Sequence, residues 1–360
     1  MDVIALDKNL ICVEQFSDFI SLIWTERFNE CGDFSLEFIA SKDILEKLYS
    51  SYYFTIKMST DIMVIESIET STDLGNGDKI IVKGRSLKSI LERRIVWGIK
   101  TLSGSLHDSI KSLINDNIIA PTDNDRKIDN FVYVDSEEER LLNLTIEDQY
   151  NGESLYEIIS TLAKEESFGF NVYLDSSNRF VFSLYDGVDR SFDQIENPYV
   201  VFSEDYQNLK SMNVFTSSQN YKNVTLIGGE GEGSAKTFTS YGSGIGLDRR
   251  EIYTDASGSS KTTESGTISD SEYISILETK GKEKLEKFKM ETAYEGEFDT
   301  STVFVLGKDF FVGDIVQLMD EYDNSAKVRI MEMVISENEE GLLTYPTFVA
   351  VEEKKEENNT

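Results

Sequence analysis

The sequence predicts a β-rich α+β fold, with two small β-barrel-like domains and an α+β insertion between them. Three observations carry this. Short runs rich in β-branched and aromatic residues recur at spacings near ten residues through the first part of the chain, and resume after Tyr199. Between these blocks lie helical apolar spacings and a hairpin. The 17 Tyr and 21 Phe among 360 residues supply bulk for packed sheet faces and interfaces. The expected division is residues 1–100 as a first β-barrel domain and 101–198 as the insertion. Residues 199–350 form a second β-barrel domain with a long helix, and 351–360 a disordered acidic tail.

The first block reads as the strands LICVEQF, SLIWTERF, DFSLEFI, YYFTIKM, DIMVIESIET and KIIVKGRS. Cys31-Gly32-Asp33 separates two of them, and Leu74-Gly75-Asn76-Gly77-Asp78 reads as a hairpin turn. Ala40 to Leu48 is the exception, a helix with Ser41 as its N-cap. LKSILERR then gives a short amphipathic helix with Leu87, Ile90 and Leu91 on one face. A second helix runs from Ser105 to about Ile118, and Pro121 to Glu139 is polar and expected to be a mobile loop. A third helix, Ser154 to about Glu166, leads into the hairpin FGFNVYLD-SSN-RFVFSLYDG.

From Tyr199 the predicted strands are YVVFS, SMNVFTSS, NVTLIGG, TFTSY and REIYTD. Asp255 to Ser271 is rich in Ser, Thr and Gly and expected to be exposed. A long charged helix from Ser271 to about Thr292 turns Ile274, Leu277, Leu285 and Phe288 towards a core. The strands TVFVLG, DIVQLMDE, KVRIMEMVIS and TYPTFVAV close the fold.

The net charge of −31 argues against wrapping DNA or lying on an anionic membrane, both of which need clustered Lys and Arg. An acidic surface suits a large assembly that must not aggregate, or a channel that DNA passes without sticking. The pair Cys12 and Cys31 is too small for a disulfide framework. The N-terminal stretch lacks a signal-peptide pattern, and no apolar run reaches the ~20 residues of a membrane span.

No catalytic, cofactor or metal site is read from the residues. His107 is the sole histidine and lies inside an ordinary amphipathic helix, which favours a surface or packing role over catalysis. Accidental carboxylate pairs are inevitable among 66 Asp and Glu, while Trp24 and Trp97 are too few to line a glycan cleft. Asp123-Asn124-Asp125 and Asp320-Glu321-Tyr322-Asp323-Asn324 lack the ligand spacing of a calcium loop. The run Gly228-Gly229-Glu230-Gly231-Glu232-Gly233 follows a strand, but Glu230 and Glu232 would repel phosphate. It reads as a loop, as does Gly242-Ser243-Gly244-Ile245-Gly246, and the two together as a place where a subunit meets its neighbour.

Several phrases, in one order, resemble siphophage tail-hub proteins of the ReqiPepy type. They are SLIWTERFNECGDFSLEFIAS, an IxSIET strand, GRSLKSILERRIVWG, LYDGVDRS, VVFSEDYQNLKSMNVFTSSQNYKNVTLIGGEGEG, DRREIYTDAS and FFVGDIVQL, spanning Leu22 to Val334. Cys31 departs from the pattern, standing where a small turn residue is usual. The resemblance implies a phage tail-hub architecture: a homotrimer whose paired barrels build a pseudo-sixfold ring. Such a ring joins a sixfold tail or distal-tail ring protein to a threefold tail-tip or receptor-binding protein. Tape-measure protein and DNA pass through its lumen, without specific nucleic-acid binding or membrane insertion. It further implies a structural, non-enzymatic virion component at the tail tip or baseplate, assembled in the host bacterial cytoplasm and not secreted. The alternative is a tail-associated peptidoglycan hydrolase or endopeptidase.

Interface candidates follow from the same phrases. Trp24 and Phe28 alternate with Glu26 and Arg27, giving one buried and one wet face. Arg93 and Arg94 end a helix, either as a solvated cap or as an inter-subunit ion pair. Asp189 and Arg190 pair either locally or across a subunit boundary.

Overall fold

In DFSLEFI, a period of two puts Phe34, Leu36 and Phe38 on one face, and they are at most 2% exposed. In this computed structural model, which describes residues 1–72, 77–263, 266–300, 302–319, 325–339 and 341–351, that strand (Asp33–Ile39) pairs antiparallel with Ser21–Arg27 and with Lys79–Ser86. The sheet continues through Ile62–Ser71, Tyr53–Ile56 and Val3–Leu6 to Cys12–Phe16. On its other side Ser21–Arg27 takes Ser325–Asn338 as neighbour, from Glu332 opposite Arg27 to Glu337 opposite Leu22. Gly341–Ala350, Glu291–Phe298 and Leu209–Ser217 follow. The strand-rich blocks at the two ends of the chain thus share one 13-stranded sheet, with Ile315–Met319 and the short Val201–Phe202 as a side branch.

The fold is β-rich α+β, as the patterning predicts. Its main core joins aromatics of both blocks into one hydrophobic cluster that includes Phe16, Trp24, Phe34, Phe54, Phe202 and Phe298. Phe34 and Phe54 meet edge to face at 5.3 Å between ring centres, and Phe202 meets Phe298 in the same way at 5.3 Å. Each such ring contributes about 1.5–3 kcal/mol through burial, with a further ~0.5–1.5 kcal/mol from ring geometry.

The predicted helices form, with caps that explain their ends. Ser41 Oγ accepts the main-chain N–H of Ile44 at 3.1 Å and starts Lys42–Ser50. LKSILERR folds as a 3-10 turn over Leu87–Arg93, with Leu87, Ile90 and Leu91 buried. Ser105 caps Leu106–Ile114, which widens into a π turn at Asn115–Ile119. Leu155–Glu165 then leads to the expected hairpin, Gly169–Leu174 against Phe180–Tyr185. Leu48 of the first helix joins the main core, whereas the other elements pack around a second core that includes Leu113, Ile159, Phe170 and Phe182.

The polar stretch expected as a loop holds a strand, Phe131–Val134, parallel to Phe180–Tyr185. A four-residue apolar run leaves little periodic signal, and it is the buried Phe131 that seats the strand. The antiparallel pair Ile99–Ser105 with Thr145–Asn151, distant in sequence, is likewise absent from the sequence reading. TVFVLG, expected as a strand, forms only one isolated bridge, between Leu306 and Phe310; Phe304 and Leu306 pack on the core. The turn expected at 74–76, the acidic run 320–324 and residues 352–360 of the expected tail lie outside the described residues.

By contacts the chain divides into one unit of Met1–Asn213 with Tyr294–Thr360, and a second of Val214–Ala293. In the second, Val224–Gly228 is flanked by antiparallel Phe238–Gly242 and parallel Glu251–Asp255. Helix Asp270–Glu286 covers this sheet, starting in a reciprocal capping box between Ser269 and Glu272. It ends before the expected Thr292, and Glu291–Phe298 is a strand instead. Leu277 is buried as predicted, beside Tyr273, which sequence periodicity did not single out.

Candidate functional site

Two phrases far apart in sequence, LYDGVDRS and FFVGDIVQL, form a clasp in the first unit. Arg190 N donates to Ile315 O at 2.8 Å, and Ile315 N donates to Val188 O at 3.0 Å. Asp314 is 2% exposed and ties the two together. One of its carboxylate oxygens accepts Val188 N at 2.8 Å, and the other accepts Arg190 Nε at 2.8 Å and Phe311 N at 3.1 Å. Asp189 and Arg190 therefore each find a partner in the C-terminal block: Asp189 pairs with Lys327 at 2.7 Å. Burial opposes the Asp189 charge, but Lys327 and Ser191 outweigh it and hold the carboxyl below its ordinary range.

Phe28 is the wall behind this clasp. Its ring is fully buried, meets Tyr185 edge-on at 5.3 Å and carries the Arg329 guanidinium 4.9 Å from its centre. Gly313 has φ +100°, and a Cβ there would fall 2.5 Å from the Phe28 ring, so glycine alone fits. Arg27 Nε donates to Glu332 at 2.5 Å, and its Nη1 donates to Cys31 O at 2.8 Å and to Asp33. Burial works against its charge, but these carboxylates raise its pKa further. Arg93 is exposed and donates to Tyr52 Oη at 3.2 Å, while Arg94 Nε donates to Arg126 O at 2.7 Å.

Beside the clasp lies a cavity of about 260 Å³ lined by Glu26, Asp61, Lys88, Asn171, Tyr185 and Phe311 among others. Glu26, read from sequence as facing water, points here because it lies two residues from both Trp24 and Phe28 and so shares their side of the chain, which the insertion covers. It keeps intermediate exposure through the opening, yet lies at full depth in the protein. Lys88 is 2% exposed and donates to Arg27 O at 2.5 Å and Glu30 O at 3.2 Å. Ser59 Oγ accepts the Trp24 indole N–H at 2.9 Å and Asp61 N at 3.0 Å, and donates to Glu26. Burial foremost, then the charge of Asp61, pushes the Glu26 carboxyl up to about 8. Burial likewise raises Asp61, against the pull of Lys88, and lowers Lys88 itself. The Cys31 thiol is pushed up to about 11, again chiefly by burial.

Of these groups the sequence pointed to Arg27 and Phe28, but not to Glu26, Asp61, Lys88 or the role of Asp314. A lysine inside LKSILERR looks like any surface lysine. His107 packs, as expected: it is 4% exposed, accepts Ser136 N at 3.2 Å and lies edge-on to Tyr133. Among the described residues, no group of three or more His, Cys, Asp or Glu is placed to hold a metal ion, and no helix is long and apolar enough to cross a membrane. The glycine run has a packing reason within the second unit: a Cβ at Gly229 would meet Tyr273 Oη at 2.5 Å.

A family model described as Siphovirus ReqiPepy6 Gp37-like protein matches residues 2–348. No curated protein sequence matches the chain. Among solved structures, the chain is similar to the tail protein from Neisseria meningitidis MC58, with TM-score 0.60 and 13% identity, covering 98% of this chain and 96% of that one. It is similar to the 43 kDa tail protein of prophage MuSo2 from Shewanella oneidensis, with TM-score 0.59 and 12% identity, covering 97% and 98%. It is also similar to prophage tail protein gp18 from Listeria monocytogenes EGD-e, with TM-score 0.53 and 14% identity, covering 98% and 95%. At such identities the likeness establishes a fold, that of phage tail proteins.

Proposed function

The chain belongs to the Siphovirus ReqiPepy6 Gp37-like protein family, and from that premise we propose that it is the structural hub of a phage or phage-derived tail. The supporting observation is that its fold matches tail proteins end to end, over 95–98% of each partner chain in the three comparisons above. In this reading three copies form a ring that joins the sixfold tail or distal-tail ring protein to the threefold tip, and tape-measure protein and DNA pass through it. The protein is then a scaffold in the virion, with the acidic charge keeping the assembly soluble and its lumen non-adhesive to DNA.

The rigid elements of the first unit fit that role. The clasp and the continuous sheet fasten the insertion to both strand blocks, so load entering one is carried to the others. Arg93, exposed beside Tyr52, is proposed to contact a neighbouring subunit, with Arg94 supporting it from the main chain of the insertion. Trp24, Arg27, Phe28, Asp189 and Arg190 contribute by fixing the surface around them, since their own partners lie within the chain.

The test is the mass in solution together with a low-resolution image of the purified protein. A ring-shaped trimer is the expected result. A compact monomer that clears cell-wall suspensions would overturn the proposal in favour of a tail-associated hydrolase or endopeptidase.

A further inference from the structure

The carboxylates of Glu26 and Asp61 share a cavity with the ammonium of Lys88, which is buried. Lys88 spends its donors on the carbonyls of Arg27 and Glu30 rather than on either acid. The other charged groups around the cavity are committed elsewhere. Arg27, on the strand of Glu26, is held by Asp33 and Glu332. Arg329 sits over Phe28 and pairs with Asp186 at 3.5 Å. From the hairpin comes the phenol of Tyr185, and from the turn after Ser21–Arg27 the thiol of Cys31, both kept neutral by burial. The segment at Phe311 and Val312 brings no charge, and the nearby Asp314 is bound by Arg190. With both acids ionised, the partly enclosed cavity would therefore hold one negative charge in excess of its cation.

We propose that the Glu26–Asp61–Lys88 cavity is a proton-operated latch: one proton on the carboxylate pair keeps the junction of the first strand block, the insertion and the Phe311–Val312 segment closed, and its loss to solvent loosens that junction. Ser59 gives the proton a mechanical reading. Its hydroxyl accepts from the Trp24 indole and from Asp61 N, and donates its single hydrogen to Glu26, so the strand and the turn sense Glu26 together. The cavity's 260 Å³ leaves room for several waters at about 30 Å³ each, so ionisation can be met by hydration once the walls part.

Hydrogen exchange on the intact chain tests this, corrected for the intrinsic rate, between about pH 6 and about pH 9. Protection of peptides covering residues 22–31, 59–64, 86–92 and 311–316 is expected to fall about tenfold or more at the higher pH. The sheet around Val224–Gly228 in the second unit serves as the internal control and stays unchanged. Glu26→Gln is expected to keep the low-pH protection at both pH values. An unchanged wild-type pattern overturns the proposal, and so does the same fall in Glu26→Gln. Should that variant not fold, the infrared carbonyl band of a protonated carboxyl is followed in the wild type. Its loss over the same range, altered by Asp61→Asn, supports the latch, and a band absent at the lower pH refutes it. Neither readout depends on the oligomeric state, so failure here leaves the hub reading to its own test.

Discussion

Replacing Asp314 by alanine strips three partners at once. Val188 N and Phe311 N lose their acceptors, and Arg190 keeps a guanidinium whose side chain is only 13% exposed with nothing opposite it. Truncating one member of a buried pair costs about 3–5 kcal/mol, because the remaining charge stays desolvated. Arg190→Ala is milder, since Asp314 retains two main-chain donors, and is expected to cost about 1–3 kcal/mol. Trp24 and Trp97 both lie in the unit of Met1–Asn213 with Tyr294–Thr360, so tryptophan fluorescence in urea follows that unit alone. With an m-value of about 3 kcal/mol/M, Asp314→Ala should lower the midpoint by about 1 M or more. A loss below about 1 kcal/mol, or a larger loss for Arg190→Ala, would show that the clasp is held by its backbone pairing and not by the carboxylate.

Other outcomes follow from single residues. Gly313→Ala forces a side chain onto a φ of +100° and into the Phe28 ring, and should cost about 2–3 kcal/mol by the same fluorescence assay. A thiol reagent near neutral pH should label exposed Cys12 quickly and buried Cys31 only on unfolding; Cys12→Ser should remove the fast phase. Ser269→Ala breaks the capping box of Asp270–Glu286 and should weaken that helix by about 1 kcal/mol, read by exchange of its first-turn amides. Glu26 binds its proton more tightly folded than unfolded, so its contribution is complete below its ordinary value of 4.5 and declines as pH rises from there through about 8. Glu26→Gln should flatten the fall in stability over that window. If the protein is a trimer, its charge is three times the −31 of one chain, and added salt should strengthen assembly by screening it; dissociation in moderate salt would contradict this.

The resemblance phrases had physical content that surfaced only in three dimensions. WTERF was legible as an alternation of apolar and charged residues, and Trp24 and Phe28 are buried; Glu26, read as wet, instead shares their side of the strand and reaches the cavity. YDGVDRS and FFVGDIVQL were legible as phrases of the family, but their joining through Asp314 was not, because the residues that the carboxylate binds in YDGVDRS lie 124 or more positions away. Lys88 gives the sharpest contrast. Its neighbours Leu87 and Ile90 announce a buried face, yet its own burial depends on carbonyls of Arg27 and Glu30 that local pattern cannot place.

The sequence by itself determined the local elements. Alternating apolar residues wrote the strands, Ser41, Ser105 and Ser269 began helices, and composition set an acidic, aromatic-rich chain. Tertiary structure alone decided which strands pair across the chain, such as Leu22–Arg27 with Glu332–Glu337, and which polar groups are enclosed. The reason is range: side-chain periodicity and capping act over a few residues, whereas sheet partners and buried charges are chosen by surfaces that meet only after folding.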